Sequence, residues 1–251
     1  MGLFMCFHLF TNMQIGVGDF QHEVDWIHSQ PAVLFAEIGL IWLPLAFHAS
    51  LGIYYGFVGN KQNLKNYRYG GNIRYMLQRY TGMIALVFIF FHIATLRWRW
   101  TLGADTPFFS HALIADGNDG KVIPFATQAT AIAVQASAII TLLYIVGALA
   151  SVYHFANGLW TAAITWGLTI TAAGQKRWGA VCAMIFLTLT MFSVIAIYSA
   201  ATYDLSEDEL AAYQTTKELY REHDHKLLHE ADLISASATV VDGKIEVRGD
   251  H

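Results

Sequence analysis

The chain has 251 residues, 55% of them hydrophobic and only 14% charged, with a formal net charge of −4. This balance points to a membrane protein, away from soluble domains and from nucleic-acid binders. Residues 1–203 carry ten Lys/Arg against seven acids, while residues 204–251 carry twelve acids against five bases, so an apolar body precedes an acidic polar tail.

Long stretches of the body contain no Asp, Glu, Lys or Arg: residues 38–60, 80–96, 122–175 and 178–203. A bilayer core about 30 Å thick needs roughly 20 helical residues. In lipid only a helix or a closed barrel satisfies every backbone group, and continuous rather than alternating runs favour helices. Five spans are expected in chain order. The first is Met1 to about Val17; it opens inside its apolar run, so helix I is expected to lack its first turns. The second follows Pro31, a first-turn proline, and ends near Val58. The third runs from about Ile73 to Leu96. The fourth begins near Phe125 and passes Asn157-Gly158. The fifth covers about Trp178 to Ala201.

The uncharged run 122–175 is long enough for two spans, but charge placement favours one long or kinked helix. Lys61, Lys65, Arg68 and Arg74 follow the second span, and Lys176 and Arg177 precede the last. Positive loops stay cytoplasmic, and five spans put both basic loops inside. The N-terminus is then cytoplasmic and the tail lies outside. The tail reads as a surface helix from Ser206 to Leu233, with a hairpin around Asp242-Gly243. His223, His225 and His229 fall there; a solvated face outweighs a metal site. Cys6 and Cys182 lie in apolar segments without a CxxC pattern and read as small hydrophobes.

Four histidines lie within spans: His8, His48, His92 and His154. Ionisable residues inside a membrane are costly and usually mark function. One such histidine could be a hydrogen-bonded core residue; four, each on its own helix, are hard to explain that way. Their distances from the helix ends place His48 and His154 in the inner half and His8 and His92 in the outer half. Facing imidazoles suit a flat iron porphyrin with two axial ligands. A zinc site would want its ligands converging on one point. Arg74 and Arg79 at the inner end of the third span, and Arg97 and Arg99 at its outer end, suit haem propionates; each reads equally as an interfacial anchor. Trp98, Trp100, Trp160 and Trp166 read as an aromatic belt.

At these residues the sequence resembles the cytochrome b558 membrane subunit of succinate dehydrogenases and fumarate reductases, the five-helix, two-haem kind. The matching segments are Phe7-His8-Leu9-Phe10-Thr11-Asn12, Leu43-Pro44 with Phe47-His48-Ala49 and Gly52, Leu77-Gln78-Arg79 with Thr81-Gly82, and Phe91-His92. Tyr153-His154-Phe155, Asn157-Gly158-Leu159-Trp160 and Thr165-Trp166-Gly167 complete the pattern over roughly residues 1–200. The resemblance implies an all-α integral membrane bundle, with residues 1–203 a di-haem cytochrome b domain in the cytoplasmic (inner) membrane. It implies that His48 and His154 bind the haem nearer a cytoplasmic iron–sulfur subunit, and that His8 and His92 bind the outer one. It further implies a flavoprotein partner and a quinone, menaquinone by analogy, near the outer haem. The chain would not itself oxidise succinate. The family's leading His-Ser element of helix I has no match, and neither does the acidic tail.

Glu37, about one and a half turns into the second span, is a candidate for quinone proton exchange, beside the reading of a hydrogen-bonded structural acid. His22, Trp26 and His28 in the outer loop rank below it. Two other readings compete: the cytochrome b of a hydrogenase or formate dehydrogenase, against which the Gln78-Arg79 and Asn157-Gly158 contexts count, and a haemless transporter, which would show internal repeats.

Overall fold

The computed structural model describes residues 1–58, 69–96, 126–211, 214, 238–241 and 244–247. The chain divides into two compact units, Met1–Asp204 and Leu205–His251. In the first, every described element is helical: α1 (Gly2–Met13), α2 (Phe20–His28), α3 (Val33–Ala36), α4 (Leu43–Val58), α5 (Gly70–Leu96), α6 (Ala126–Gln135), α7 (Ala138–Thr165) and α8 (Ala172–Ala201). A 3₁₀ turn, Gln14–Val17, ends α1, and a π-helix, Glu37–Trp42, joins α3 to α4.

Four described helices are long and apolar enough to cross a membrane: Glu37–Val58, Gly70–Ala94, Ala138–Thr165 and Ala172–Ala201. The chain is thus a multi-pass membrane protein. The opening helix, Gly2–Val17, is apolar but shorter. At about 1.5 Å per residue it reaches about 24 Å, short of a full hydrocarbon core. It stops at Gly18, whose φ of 87° turns the chain into α2.

The second span is not a plain α-helix, and Pro44 supplies the reason. Its ring lacks an N–H and crowds the carbonyl four residues back. The chain answers with wider turns just upstream, where the Leu43 N–H bonds to the Ile38 carbonyl, five residues away. Such π segments are uncommon and need a local cause. Pro31 lies in the turn before α3.

The fourth span is broken at Ala136-Ser137. Ser137 takes an extended backbone and its hydroxyl accepts the Ile140 N–H, so α7 starts afresh there. The ten residues of α6 reach only about 15 Å and do not cross the membrane. They pack on α2, α7 and α8. The Ala126 N–H donates to Gln21 Oε1 at 2.7 Å, and Gln135 Nε2 donates to the carbonyls of Ala200 and Tyr203 at 2.9 Å. α6 therefore closes one end of the bundle and supplies donors to the open carbonyls that end α8.

The other end of α7 closes with Gly167 at φ 72°. The Gly167 N–H bonds to the Ile164 carbonyl and the Leu168 N–H to the Ala163 carbonyl, the paired bonds of a Schellman motif. Thr171 then caps α8 by accepting the Gly174 N–H. α7 is the central helix, packed on α5 and α8, while α1 packs on α8 and α4 on α5. A core of Ile15, Phe20, Phe88, Ala126, Val134, Tyr144 and Ala200 fills the end covered by α2 and α6.

In the second unit, Ser206 and Glu209 form a capping box. The Ser206 N–H and hydroxyl both donate to Glu209 Oε2, and the Glu209 N–H donates back to Ser206 Oγ. Strands β1 (Ala238–Val241) and β2 (Lys244–Val247) pair antiparallel, with Val241 opposite Lys244. His223, His225 and His229 lie outside the described residues.

Candidate functional site: two histidine pairs

The four span histidines meet two by two. The rings of His8 on α1 and His92 on α5 have centroids 5.8 Å apart, and those of His48 on α4 and His154 on α7 are 6.0 Å apart. A first-row metal binds imidazole nitrogen at about 2 Å. Two rings sharing one such ion therefore have centroids about 6 Å apart, because each centroid lies about 1 Å behind its nitrogen. The separations suit bis-imidazole coordination by iron. Among the described residues no three His, Cys, Asp or Glu side chains gather into one cluster.

The pairs occupy different depths. His154 lies against Gly82 on α5, where a Cβ would come within 2.8 Å of its ring. His92 is ten residues further along the same helix, about 15 Å. Each pair also has different neighbours.

Around His154 the contacts are polar. Its Nδ1–H donates to the Gln78 carbonyl at 3.0 Å. The Gln78 side chain returns a bond, Nε2 to the His154 carbonyl at 3.0 Å, and its Oε1 accepts from Asn157 Nδ2 at 2.7 Å. With Nδ1 carrying the proton, Nε2 keeps its lone pair for a metal. The Arg74 guanidinium lies 4.3 Å over the Trp160 ring, a cation–π contact. The Trp166 ring is exposed. His48 sits on a helix whose residues are mostly exposed.

Around His8 and His92 the contacts are mainly aromatic, with the Asn12 amide nitrogen 3.3 and 3.4 Å from the two His8 ring nitrogens. Phe4 stacks on His8 at 5.3 Å, and Phe88 and Tyr144 lie 5.7 and 5.9 Å from His92. Asn12, one turn after His8, donates to the His8 carbonyl at 2.6 Å.

The remaining candidates are more scattered. Arg79 donates through Nη2 to the Gly56 carbonyl at 2.6 Å, and its guanidinium lies 5.9 Å from the Tyr75 ring. Arg97 and Arg99 lie outside the described residues. Glu37 opens the π segment and is partly buried. Trp26 is exposed, its carbonyl taking bonds from Ser29 and Gln30. Gln78 and Asn157, motif residues with no role assigned by the sequence, hold His154. A polar pair in facing apolar helices was the signal that could have singled them out.

Multi-pass membrane helices carrying two imidazole pairs at two depths define a class of membrane-embedded redox-type bundles. The succinate dehydrogenase cytochrome b558 subunit of Bacillus subtilis (strain 168) is 32% identical over 200 residues, covering 79% of this chain and 89% of that protein. The chain belongs to the family of succinate dehydrogenase cytochrome b558 subunits. No family model and no solved structure matches it.

Proposed function

We propose that this protein is the membrane anchor and electron-transfer subunit of a succinate:quinone oxidoreductase. It carries electrons between an iron–sulfur subunit and quinone through two b haems, one at His48/His154 and one at His8/His92. The observation that carries the reading is the pairing of four intramembrane histidines at 5.8 and 6.0 Å. Family membership supports the cytochrome b character and a place in a complex with other subunits, which we read as a flavoprotein and an iron–sulfur protein.

When bound, the haems supply one-electron chemistry tuned by axial ligand and surroundings. The chain's own residues do the rest. Each histidine pair comes from two different helices, so a haem held there would also tie α4 to α7 and α1 to α5. The Gln78 carbonyl fixes the proton on His154 Nδ1. Arg79 and Arg97 supply planar donors for propionates. The bundle is a five-helix one, with Gly2–Val17 as its first member and residues 1–203 as the haem domain. The cytoplasmic basic loops put the N-terminus inside, the His48/His154 centre in the inner half, and the acidic tail outside the cytoplasmic membrane. Quinone, menaquinone by family analogy, reacts near the outer centre, with Glu37 exchanging its protons.

A reduced-minus-oxidised spectrum of the chain in membranes, with haem quantified per polypeptide, tests this directly. Two b haems per chain are expected. A haemless protein would overturn the electron-transfer reading, and one haem would overturn the assignment of one pair. For Glu37, unchanged quinone-linked turnover in Glu37→Gln would remove the proton role.

A further inference from the structure

We propose that Gln78, Gly82 and Asn157 form the seat that orients His154 and thereby set the potential of the inner haem. The inference rests on the reading of His48 and His154 as haem ligands, and names positioning residues for that centre.

The geometry starts from one carbonyl. In α5 the Gln78 carbonyl accepts the helical bond from the N–H four residues on, which belongs to Gly82. A carbonyl has a second lone pair, and His154 Nδ1–H takes it at 3.0 Å. Reaching it requires the imidazole to pass beside residue 82. A Cβ there would meet His154 Cε1 at 2.8 Å and Nδ1 at 3.0 Å. The glycine is thus needed for close approach.

The Gln78 side chain then holds α5 and α7 in register. Nε2 donates to the His154 carbonyl and Oε1 accepts from Asn157 Nδ2. Asn157 is buried, and its amide also reaches the Arg74 carbonyl at 3.4 Å. A Cβ at Gly158 would come within 3.2 Å of Gln78 Nε2, so that position too stays small beside the amide. In this apolar setting polar groups without partners are expensive, so the three residues hold one arrangement.

The chemical consequence has a sign. An acceptor on Nδ1–H raises the basicity of the ligating nitrogen, which stabilises the ferric state and lowers the potential. Loosening the seat should raise it. The His8/His92 pair has its own neighbours, Phe4, Asn12, Phe88 and Tyr144, none of them in the seat, so the two centres respond separately.

The test uses the assembled complex in membranes, with potentiometric titration of the haems and the low-spin ferric electron paramagnetic resonance signals as readouts. His154→Ala identifies the inner component as the one lost. Gln78→Leu keeps the carbonyl and removes the side-chain links; Gly82→Ala pushes the imidazole off the carbonyl. With both haems retained, the inner component should become more reduced at fixed potential by several-fold to tenfold, tenfold being 59 mV for one electron. Its resonance signal should shift while the outer one stays. Gln78→Glu, which keeps an acceptor for Asn157, should return the inner signal part of the way. If either variant loses haem, loss confined to the inner component also supports the seat. Should both variants keep two haems at wild-type potentials and signals, or should the outer component move instead, the seat is overturned. If a variant loses both haems, Gln78→Glu decides: an inner component raised in potential supports the seat, and a wild-type or lowered potential, the latter being the effect of the added charge alone, overturns it. A His154→Ala protein that keeps both haems would instead overturn the ligand assignment itself.

Discussion

Gly147 on α7 lies directly against the ring of Phe88 on α5, and no Cβ fits between them. Phe88 in turn lies 5.7 Å from His92 and 5.5 Å from Tyr144. One missing side chain therefore sets how closely the two central helices approach beside the outer histidine pair. Gly147→Ala should force the ring aside, and overpacking of this kind costs about 1–3 kcal/mol. We expect lower thermal stability in detergent, and a changed absorbance or potential for the His8/His92 component alone. An unchanged outer component would mean that Phe88 has room to swing without touching His92.

Arg79 bonds the last turns of α4 at the Gly56 carbonyl, 2.6 Å away. That helix is mostly exposed and carries His48, so a tether matters more there than elsewhere. A hydrogen bond from a charged donor contributes about 1.5–3 kcal/mol. Arg79→Leu should reduce inner haem content more than outer. Arg79→Lys should do so less, since the charge stays but the planar fork is lost. Haem per chain after purification checks both; equal content in all three proteins would leave Arg79 as a surface anchor.

Gln135 ends α6 with its amide on two carbonyls at the end of α8. Gln135→Leu removes both bonds, and an unsatisfied buried acceptor costs about 1–3 kcal/mol. The Ala200 end is buried while Tyr203 is not fully so, so the lower part of that range is expected. Amide exchange over residues 196–203 should speed up, with little change near Asn157 at the other end of the bundle. Uniform exchange in both regions would show that α6 is held by its apolar face alone.

Which parts of this were legible in the sequence follows from what each part is made of. Four membrane-crossing helices were, because uncharged runs of the right length have few alternatives in lipid. The approach of His48 to His154, and of His8 to His92, followed from counting residues to helix ends. The break before Ser137 was hidden, since a serine cap inside an uncharged run looks like any other small residue until the backbone is seen. Pro44 entered the sequence reading only as part of a motif, and the wider turns upstream of it show only in the backbone. The Gln78 carbonyl has no signature at all: main-chain acceptors are the same at every residue, and only the glycine four positions on hints that one is approached.

The pairing itself makes a prediction that single variants cannot. If His48 and His154 serve one centre, replacing both should remove no more haem than replacing either, because the second change acts on a site already lost. Replacing His8 together with His48 should remove both haems. Strong non-additivity within a pair and additivity across pairs is the pattern expected of residues that act as a unit. Haem content of four single and three double alanine variants (His48 with His154, His8 with His48, and His8 with His154), each assembled in membranes, tests it. Crossed results, in which His8 with His154 behaves as one site, would mean that the rings facing each other at 5.8 and 6.0 Å do not share a ligand.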